Sequence, residues 1–195
     1  MERSLDTICA ALCGAMGVPA PECAAEGNPE LLAAIDEWFG GERADRIFMY
    51  NPDAVARWII EKYPFYVREA TAIAPLKIDL RTVMPSVTPV CFGTMYTGAQ
   101  PEVHGIRKYA KPVIKIDSIF DTMLRNGKKC AIVASEGCSM SKIYLEREMD
   151  YYFYNSEAEV NAKAAELILE DKYDLLCVYN GNYDHWMHKY GPEAA

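Results

Sequence analysis

The chain has 195 residues and a net charge of −8, with 51% hydrophobic and 25% charged residues, which is the composition of a globular domain and excludes a disordered chain. Its acidic balance excludes the basic surface that binding to a nucleic acid polymer requires. The sequence contains no run of about 18 apolar residues, so no membrane span is predicted. An acidic protein that binds an anionic phosphate needs a local source of positive charge, and bound metal ions are the obvious candidates.

Residues 1–42 are predicted to form a short helical lead-in that packs on the main domain. The apolar residues of its first helix recur at the spacing of a buried helical face: Ile8, Leu12 and Met16. Pro29 opens a second helix and Gly40-Gly41 ends it, because proline suits the first turn of a helix and glycine its end. We expect the lead-in and a catalytic core at residues 45–195 to form one domain that spans the whole chain.

From Arg46 onward, short apolar segments alternate with amphipathic ones. Strands are predicted at residues 46–50, 112–116, 130–134, 151–154 and 174–179. Helices are predicted at residues 53–59, 119–126, 141–148 and 157–170, and after Pro89. This alternation indicates βαβ units, and therefore an α/β fold in which a mostly parallel sheet is flanked by helices as a three-layer sandwich.

Polar residues follow several of the predicted strands. Ligands of parallel α/β sheets bind at the carboxyl ends of the strands, which directs attention to Asp53, to the Thr88 region, and to residues 135–137 and 180–188. Asp53 comes directly after the first strand. It can cap the helix that follows, which its position alone favours, or it can bind a metal ion at the strand end.

Thr88 lies between prolines, just before a predicted helix. A hydroxyl at a helix N-terminus is first of all a cap, but the free N–H groups and the dipole of the helix also favour a phosphate there. A threonine hydroxyl is a poor nucleophile at neutral pH and needs an adjacent base or a metal ion. No histidine is close to Thr88 in sequence, so a metal ion is the expected activator.

Asp184 and His188 are four residues apart, which places a carboxylate and an imidazole on one face of a helix. Such a pair can bind one zinc ion, with His185 as a competing ligand. The alternative is an exposed ion pair within the helix. The position of the pair directly after the most apolar predicted strand favours the metal site.

Asn180 and Asn182 flank Gly181 in the same loop. Their side-chain amides can donate hydrogen bonds to a phosphate. Turn formation explains these two residues equally well, and both interpretations stay open.

The seven cysteines include no CxxC pair, and several lie in apolar segments. They are expected to be buried free thiols, which is typical of a reducing compartment. The N-terminus lacks the basic start and the apolar core of a secretory signal. The sequence therefore predicts a cytoplasmic protein.

Two segments resemble one known family. The run from Thr97 to Ile106 reads Thr-Gly-x-x-Pro-Glu-x-His-Gly-Ile, and Asp184 to Pro192 reads Asp, three residues, His and then Gly-Pro. Both motifs, with the distance back to Thr88, resemble the type I phosphodiesterases and nucleotide pyrophosphatases of the alkaline phosphatase superfamily. The resemblance covers roughly residues 45–195 and implies the alkaline-phosphatase-like fold.

This resemblance implies a hydrolase of phosphodiester or nucleotide pyrophosphate bonds, with a small phosphate ester or a nucleotide as substrate. Thr88 would be the nucleophile. Asp53 and Thr88 would bind one divalent metal ion, and Asp184 and His188 a second, about 4 Å away. The ions are expected to be zinc, with manganese as an alternative. His104 lies in the first motif but is not a ligand in the family, so a structural role is expected for it.

The sequence departs from the family pattern in three places. The first ligand is usually followed by glycine, where this chain has Ala54; the asparagine that usually follows the nucleophile is replaced by Pro89 and Val90. The family also draws a further Asp-His pair and one more histidine from beyond the second motif, whereas this sequence ends at Ala195. We expect the catalytic core to lack its C-terminal part here. A degenerate, non-catalytic member that binds a ligand or partner is the alternative, as are a phosphomonoesterase, phosphonate hydrolase or phosphomutase within the same class.

Overall fold

The computed structural model describes residues 4–74 and 76–192. The four strands in this part of the chain are β1 (Ile47–Pro52), β2 (Cys130–Ser135), β3 (Asp150–Tyr154) and β4 (Leu175–Asn180). The helices before β2 are α1 (Thr7–Ala15), α2 (Pro29–Phe39), α3 (Arg57–Lys62), a 3-10 helix (Pro64–Val67), α4 (Arg68–Ile73), α5 (Thr88–Thr97), α6 (Pro101–His104) and α7 (Ile119–Arg125). The helices after β2 are α8 (Met140–Ile143), α9 (Glu157–Glu170) and α10 (Asn182–Tyr190).

The strands form one sheet in the order β1-β4-β2-β3, and every pairing is parallel. Because all four strands run the same way, their carboxyl ends meet at one edge of the sheet. Crossover helices connect them, as parallel strands require. The predicted α/β fold with a parallel sheet is confirmed.

Both faces of the sheet are covered, so the molecule has three layers. Along β4, Leu175, Cys177 and Tyr179 face the larger core, which also contains residues of α1, α5 and α7. Leu176 and Val178 face the smaller core against α9. This alternation of buried residues between two faces is what a central strand of a parallel sheet requires.

Helix α1 belongs to the larger core. Cys9 and Cys13 are fully buried there, and the Cys9 thiol donates to the carbonyl of Tyr96 at 3.4 Å. A hydrogen bond with Cys13, followed by burial, raises the pKa of the Cys9 thiol far above its usual range. All seven cysteines are free, as predicted, although Cys23 is exposed. The division into lead-in and core stays a prediction.

Helix α2 begins and ends where the sequence predicts. Asn28 caps it by accepting from the N–H groups of Glu30 and Leu31, and Gly40 ends it in the left-handed conformation. None of the helices in the described residues is both long enough and apolar enough to cross a lipid bilayer.

Two predicted elements are wrong. Residues 112–116 form no strand; the Ile114 N–H donates to the carbonyl of Ile143 instead of to a neighbouring strand. The helix predicted at 141–148 is reduced to α8, because the chain then turns to bury Tyr144 completely and to pair Arg147 with Asp121. In both segments, tertiary contacts determine the local backbone.

Candidate active site

The carboxyl edge of the sheet brings Asp53 and Thr88, two of the residues that the sequence nominates, into contact. Asp53 follows β1, and its N–H donates to the carbonyl of Asn180 at the end of β4. Just below, the Asn51 side-chain amide donates to Tyr96 of α5 at 2.9 Å and to the Val178 carbonyl of β4 at 3.0 Å. This buried amide therefore ties β1, β4 and α5 together directly beneath Asp53.

Asp53 does not cap the next helix, so that interpretation is wrong. Helix α3 begins only at Arg57, with Ala56 at the N-cap position. The delay arises because Ala54 has φ of 60°, a left-handed conformation that turns the chain and that glycine adopts more readily than alanine. The Asp53 carboxylate is thereby left available to the site.

Thr88 is the first residue of α5, and Val87 holds the N-cap position without any side-chain cap. The Thr88 hydroxyl is therefore not a cap either. Instead, its Oγ1 donates to Oδ2 of Asp53 at 3.1 Å. The predicted nucleophile and the predicted first metal ligand are thus in direct contact, 35 residues apart in sequence.

Tyr179 is a site residue that the sequence analysis missed. Its hydroxyl donates to the same Oδ2 of Asp53 at 2.6 Å. Burial, the hydrogen bond to Asp53 and the charge of Asp53 raise the pKa of Tyr179 well above its usual range, so the phenol stays a neutral donor. Side chains alternate between the two faces of a strand, so Tyr179 lies on the same face of β4 as Leu175 and Cys177. This is the face toward Asp53 and Thr88, and the alternation was a signal that could have found Tyr179.

Asp184 and His188 lie on one face of α10, as predicted. Oδ1 of Asp184 is 3.4 Å from Nε2 of His188, whose side chain is 81% exposed. Partial burial and the negative charge of Asp53 raise the pKa of Asp184. A bound cation would stabilise the charged form of both carboxylates.

His185 follows Asp184 directly on α10. Its ring is exposed and meets Trp186 edge-on, with ring centroids 5.6 Å apart. Its assignment as an alternative metal ligand remains a prediction.

Asn180 and Asn182 organise their own loop. The Asn182 N–H donates to the Asn180 side-chain oxygen at 3.2 Å, and the Asn180 amide donates to Asn161 at 3.3 Å. The Asn182 side-chain oxygen accepts from the Trp186 indole. These contacts account for both residues as turn formers, and their role in binding substrate stays a prediction.

The donor atoms suit a two-metal centre in kind, but not in number. Among residues 4–74 and 76–192, no group of three or more His, Cys, Asp or Glu side chains is close enough to hold a metal ion. Asp53 with Thr88 and Asp184 with His188 each form half a site, whereas catalytic zinc usually has three protein ligands. The fit to two metal ions is therefore partial.

His104 is buried in the layer of α5 and α6, as a structural role requires. The Ile106 N–H donates to its Nδ1 at 3.3 Å, and its Nε2 lies 3.1 Å from the Thr94 hydroxyl. A Cβ on Gly93 would lie only 2.6 Å from the imidazole, so glycine is needed there. Burial lowers the pKa of His104. Both ring nitrogens are engaged within the fold.

Comparison with known families identifies one family model that matches this chain. The model of the family described as "Type I phosphodiesterase / nucleotide pyrophosphatase" matches residues 74–195. This range is more than half of the chain and includes Thr88, Asp184 and His188, while Asp53 precedes it. The comparison with curated proteins finds no match. The match of the family model shows that the chain belongs to the type I phosphodiesterase / nucleotide pyrophosphatase family, a branch of the alkaline phosphatase superfamily.

Proposed function

We propose that this protein hydrolyses phosphodiester or nucleotide pyrophosphate bonds of small substrates, with Thr88 as the nucleophile. The observation that carries the proposal is the contact between the Thr88 hydroxyl and Asp53 at the carboxyl edge of the sheet. Membership of a family named for phosphate-ester hydrolysis supports the same reaction class.

The geometry suits an attack by Thr88 on phosphorus. The Thr88 hydroxyl donates its proton to Oδ2 of Asp53, so the lone pairs of its oxygen are available to attack phosphorus. The new bond joins Thr88 Oγ1 to phosphorus while the bond to the leaving group breaks, and the leaving group departs with a proton. Water then cleaves the phosphothreonine and restores the hydroxyl.

Two divalent cations, zinc or manganese, complete the proposal. Asp53 and Thr88 would hold one ion, and Asp184 with His188, or with His185 as the alternative ligand, would hold the other. Bound there, the ions supply positive charge for the attacking and leaving oxygens. Burial, and then the charge of Asp53, raise the pKa of Asp184, and a cation bound there would stabilise the charged carboxylate.

Replacing Thr88 by alanine tests the nucleophile. Hydrolysis of bis-(p-nitrophenyl) phosphate is measured with added zinc or manganese for the unchanged protein and for Thr88→Ala. Loss of the nucleophile is expected to lower kcat by about a thousandfold or more. In the unchanged protein, rapid quenching during turnover should reveal a phosphoryl group on Thr88 by mass spectrometry.

Ser86→Ala is the matched control, because it removes an exposed hydroxyl two residues earlier in the chain. This variant should retain full activity and the phosphothreonine. Equal rates for Thr88→Ala and the unchanged protein would exclude Thr88 as the nucleophile.

A second candidate function is non-catalytic binding of a ligand or partner. The observation in its favour is that the described residues contain no complete metal site and that α10, which carries Asp184 and His188, has no buried residue. Equilibrium dialysis against zinc and manganese, followed by metal analysis, separates the two functions. Stoichiometric metal together with turnover supports the hydrolase; absence of bound metal and of turnover supports the binding protein.

The same assay distinguishes the other reactions of this class. Rates are compared for bis-(p-nitrophenyl) phosphate, p-nitrophenyl phosphate and a p-nitrophenyl phosphonate. We expect the diester to be the preferred substrate. A higher kcat/KM for the monoester or the phosphonate would reassign the protein within the class.

A further inference from the structure

One carboxylate oxygen of Asp53 accepts hydrogen bonds from two hydroxyl groups. The Tyr179 hydroxyl donates to Oδ2 at 2.6 Å and the Thr88 hydroxyl at 3.1 Å. In the described part of the chain, no hydrogen bond reaches Oδ1. Both hydroxyls therefore hold the carboxylate through the same oxygen, and the bond from Tyr179 is the shorter one.

Tyr179 is itself held firmly in place. Its side chain is 7% exposed, and its ring meets Phe92 edge-on, with centroids 5.7 Å apart and an interplanar angle of 74°. Phe92 lies one helical turn after Thr88 on α5. Tyr179 of β4 thus contacts α5 through Phe92 and the segment after β1 through Asp53.

The backbone on the other side of the phenol is close as well. A Cβ on Gly181 would lie 2.9 Å from the Tyr179 hydroxyl oxygen and 3.1 Å from its Cε1. Contacts under 3.0 Å force a displacement, so any larger residue at position 181 pushes directly on the phenol. The hydroxyl therefore lies between the Gly181 backbone and Asp53.

We propose that Tyr179 is a positioning residue, which holds the Asp53 carboxylate in the orientation in which its Oδ2 also accepts the hydrogen bond from the Thr88 hydroxyl. This inference rests on the proposed function, since it assigns Asp53 to the site around Thr88. Tyr179 acts through Asp53 and does not touch the substrate. Glycine at position 181 is part of the same device, because it leaves room for the hydroxyl.

Tyr179→Phe in the full chain removes the hydroxyl and keeps the ring. Residues that orient a metal ligand contribute about ten- to a hundredfold to activity or metal affinity. We expect kcat for bis-(p-nitrophenyl) phosphate to fall at least tenfold with KM changed less than twofold. The dissociation constant for Mn²⁺ alone, followed by electron paramagnetic resonance, should rise by a similar factor.

Tyr152→Phe is the matched control. The Tyr152 hydroxyl bonds to that of Tyr173 at 2.7 Å on the opposite face of the sheet, so both measurements should stay unchanged.

Gly181→Ala tests the same contact from the other side. This variant should lower kcat, and the loss should be smaller in the Tyr179→Phe background, because the nearest clashing atom is then absent. Simply additive losses would overturn the assignment of Gly181 to this device.

The failure of the proposed function is distinguishable from the failure of this inference. If the unchanged protein turns over substrate and binds Mn²⁺, and Tyr179→Phe does both equally well, the positioning role is excluded while the hydrolase stands. If the unchanged protein does neither, the proposed function is wrong and the inference is overturned with it.

Discussion

At the scale of single residues, the site depends on two polar side chains that do not cap the helices beside them. Asp53 and Thr88 both stand where a helix cap is expected, yet Ala56 and Val87 occupy the N-cap positions of α3 and α5. The two side chains are therefore available to each other across the sheet edge. A helix without a side-chain cap loses about 1 kcal/mol, which is the stability that this arrangement gives up at each helix.

Ala54 also costs stability at this edge. Its φ of 60° is unfavourable for a residue with a Cβ by about 1–2 kcal/mol, of which glycine recovers part. Ala54→Gly is therefore expected to raise the free energy of unfolding by about 0.5–1 kcal/mol, and Tm by about 2–4 °C per kcal/mol. Urea denaturation and calorimetry measure both quantities.

Ala162→Gly provides the opposite control. Ala162 is exposed in the interior of α9, where glycine destabilises a helix by about 1 kcal/mol. If Ala54→Gly destabilises the protein as Ala162→Gly does, the left-handed conformation is not the source of the cost.

At the scale of elements, the ends of helices could be predicted from neighbouring residues, whereas contacts between residues far apart in sequence could not. Helix α2 has its proline start and glycine end written in its own sequence, and α9 has a capping serine at position 156. The helix expected at 141–148 fails because Tyr144 and Arg147 respond to partners far away in sequence. Tyr179 was missed for the same reason: its importance depends on Asp53, 126 residues earlier.

Helix α10 is the least anchored part of the site. None of its nine residues is buried, although it carries Asp184 and His188. Its amides should therefore exchange hydrogen rapidly, and a divalent cation shared with Asp53 should slow that exchange. A ligand at ten times its dissociation constant that binds only the ordered helix protects it about tenfold.

Hydrogen-exchange mass spectrometry with and without Mn²⁺ measures this effect on residues 182–190. The second half of α9, anchored by buried Leu167, serves as the internal reference, because the contacts of α9 with the site loop come from Glu157 and Asn161 in its first half. Equal protection of α10 in both conditions, at saturating Mn²⁺, would exclude Asp184 and His188 as ligands.

At the scale of the whole molecule, the candidate site is associated with only one of the two hydrophobic cores that cover the sheet. The smaller core against α9 contains no residue of the site, whereas the larger core includes Tyr179 and packs against Val87, next to Thr88. The family motif from Thr97 to Ile106 belongs to the larger side. Its histidine, His104, is enclosed by Gly93, Thr94 and Ile106.

This enclosure predicts how global stability depends on pH. Burial lowers the pKa of His104 in the folded protein below its usual 6.5. Above that pH the imidazole is neutral in both states and contributes no pH dependence. Below it, the unfolded chain binds a proton that the folded protein does not, so the free energy of unfolding falls as pH decreases from 6.5 towards the folded pKa.

Urea denaturation between pH 7.5 and pH 5.5 measures this slope, and His104→Gln should make it shallower, since glutamine does not titrate. The other titrating groups are common to both proteins and cancel in the difference between the two curves. Parallel curves would show that His104 titrates equally in the folded and the unfolded state, which its burial against Gly93 should prevent.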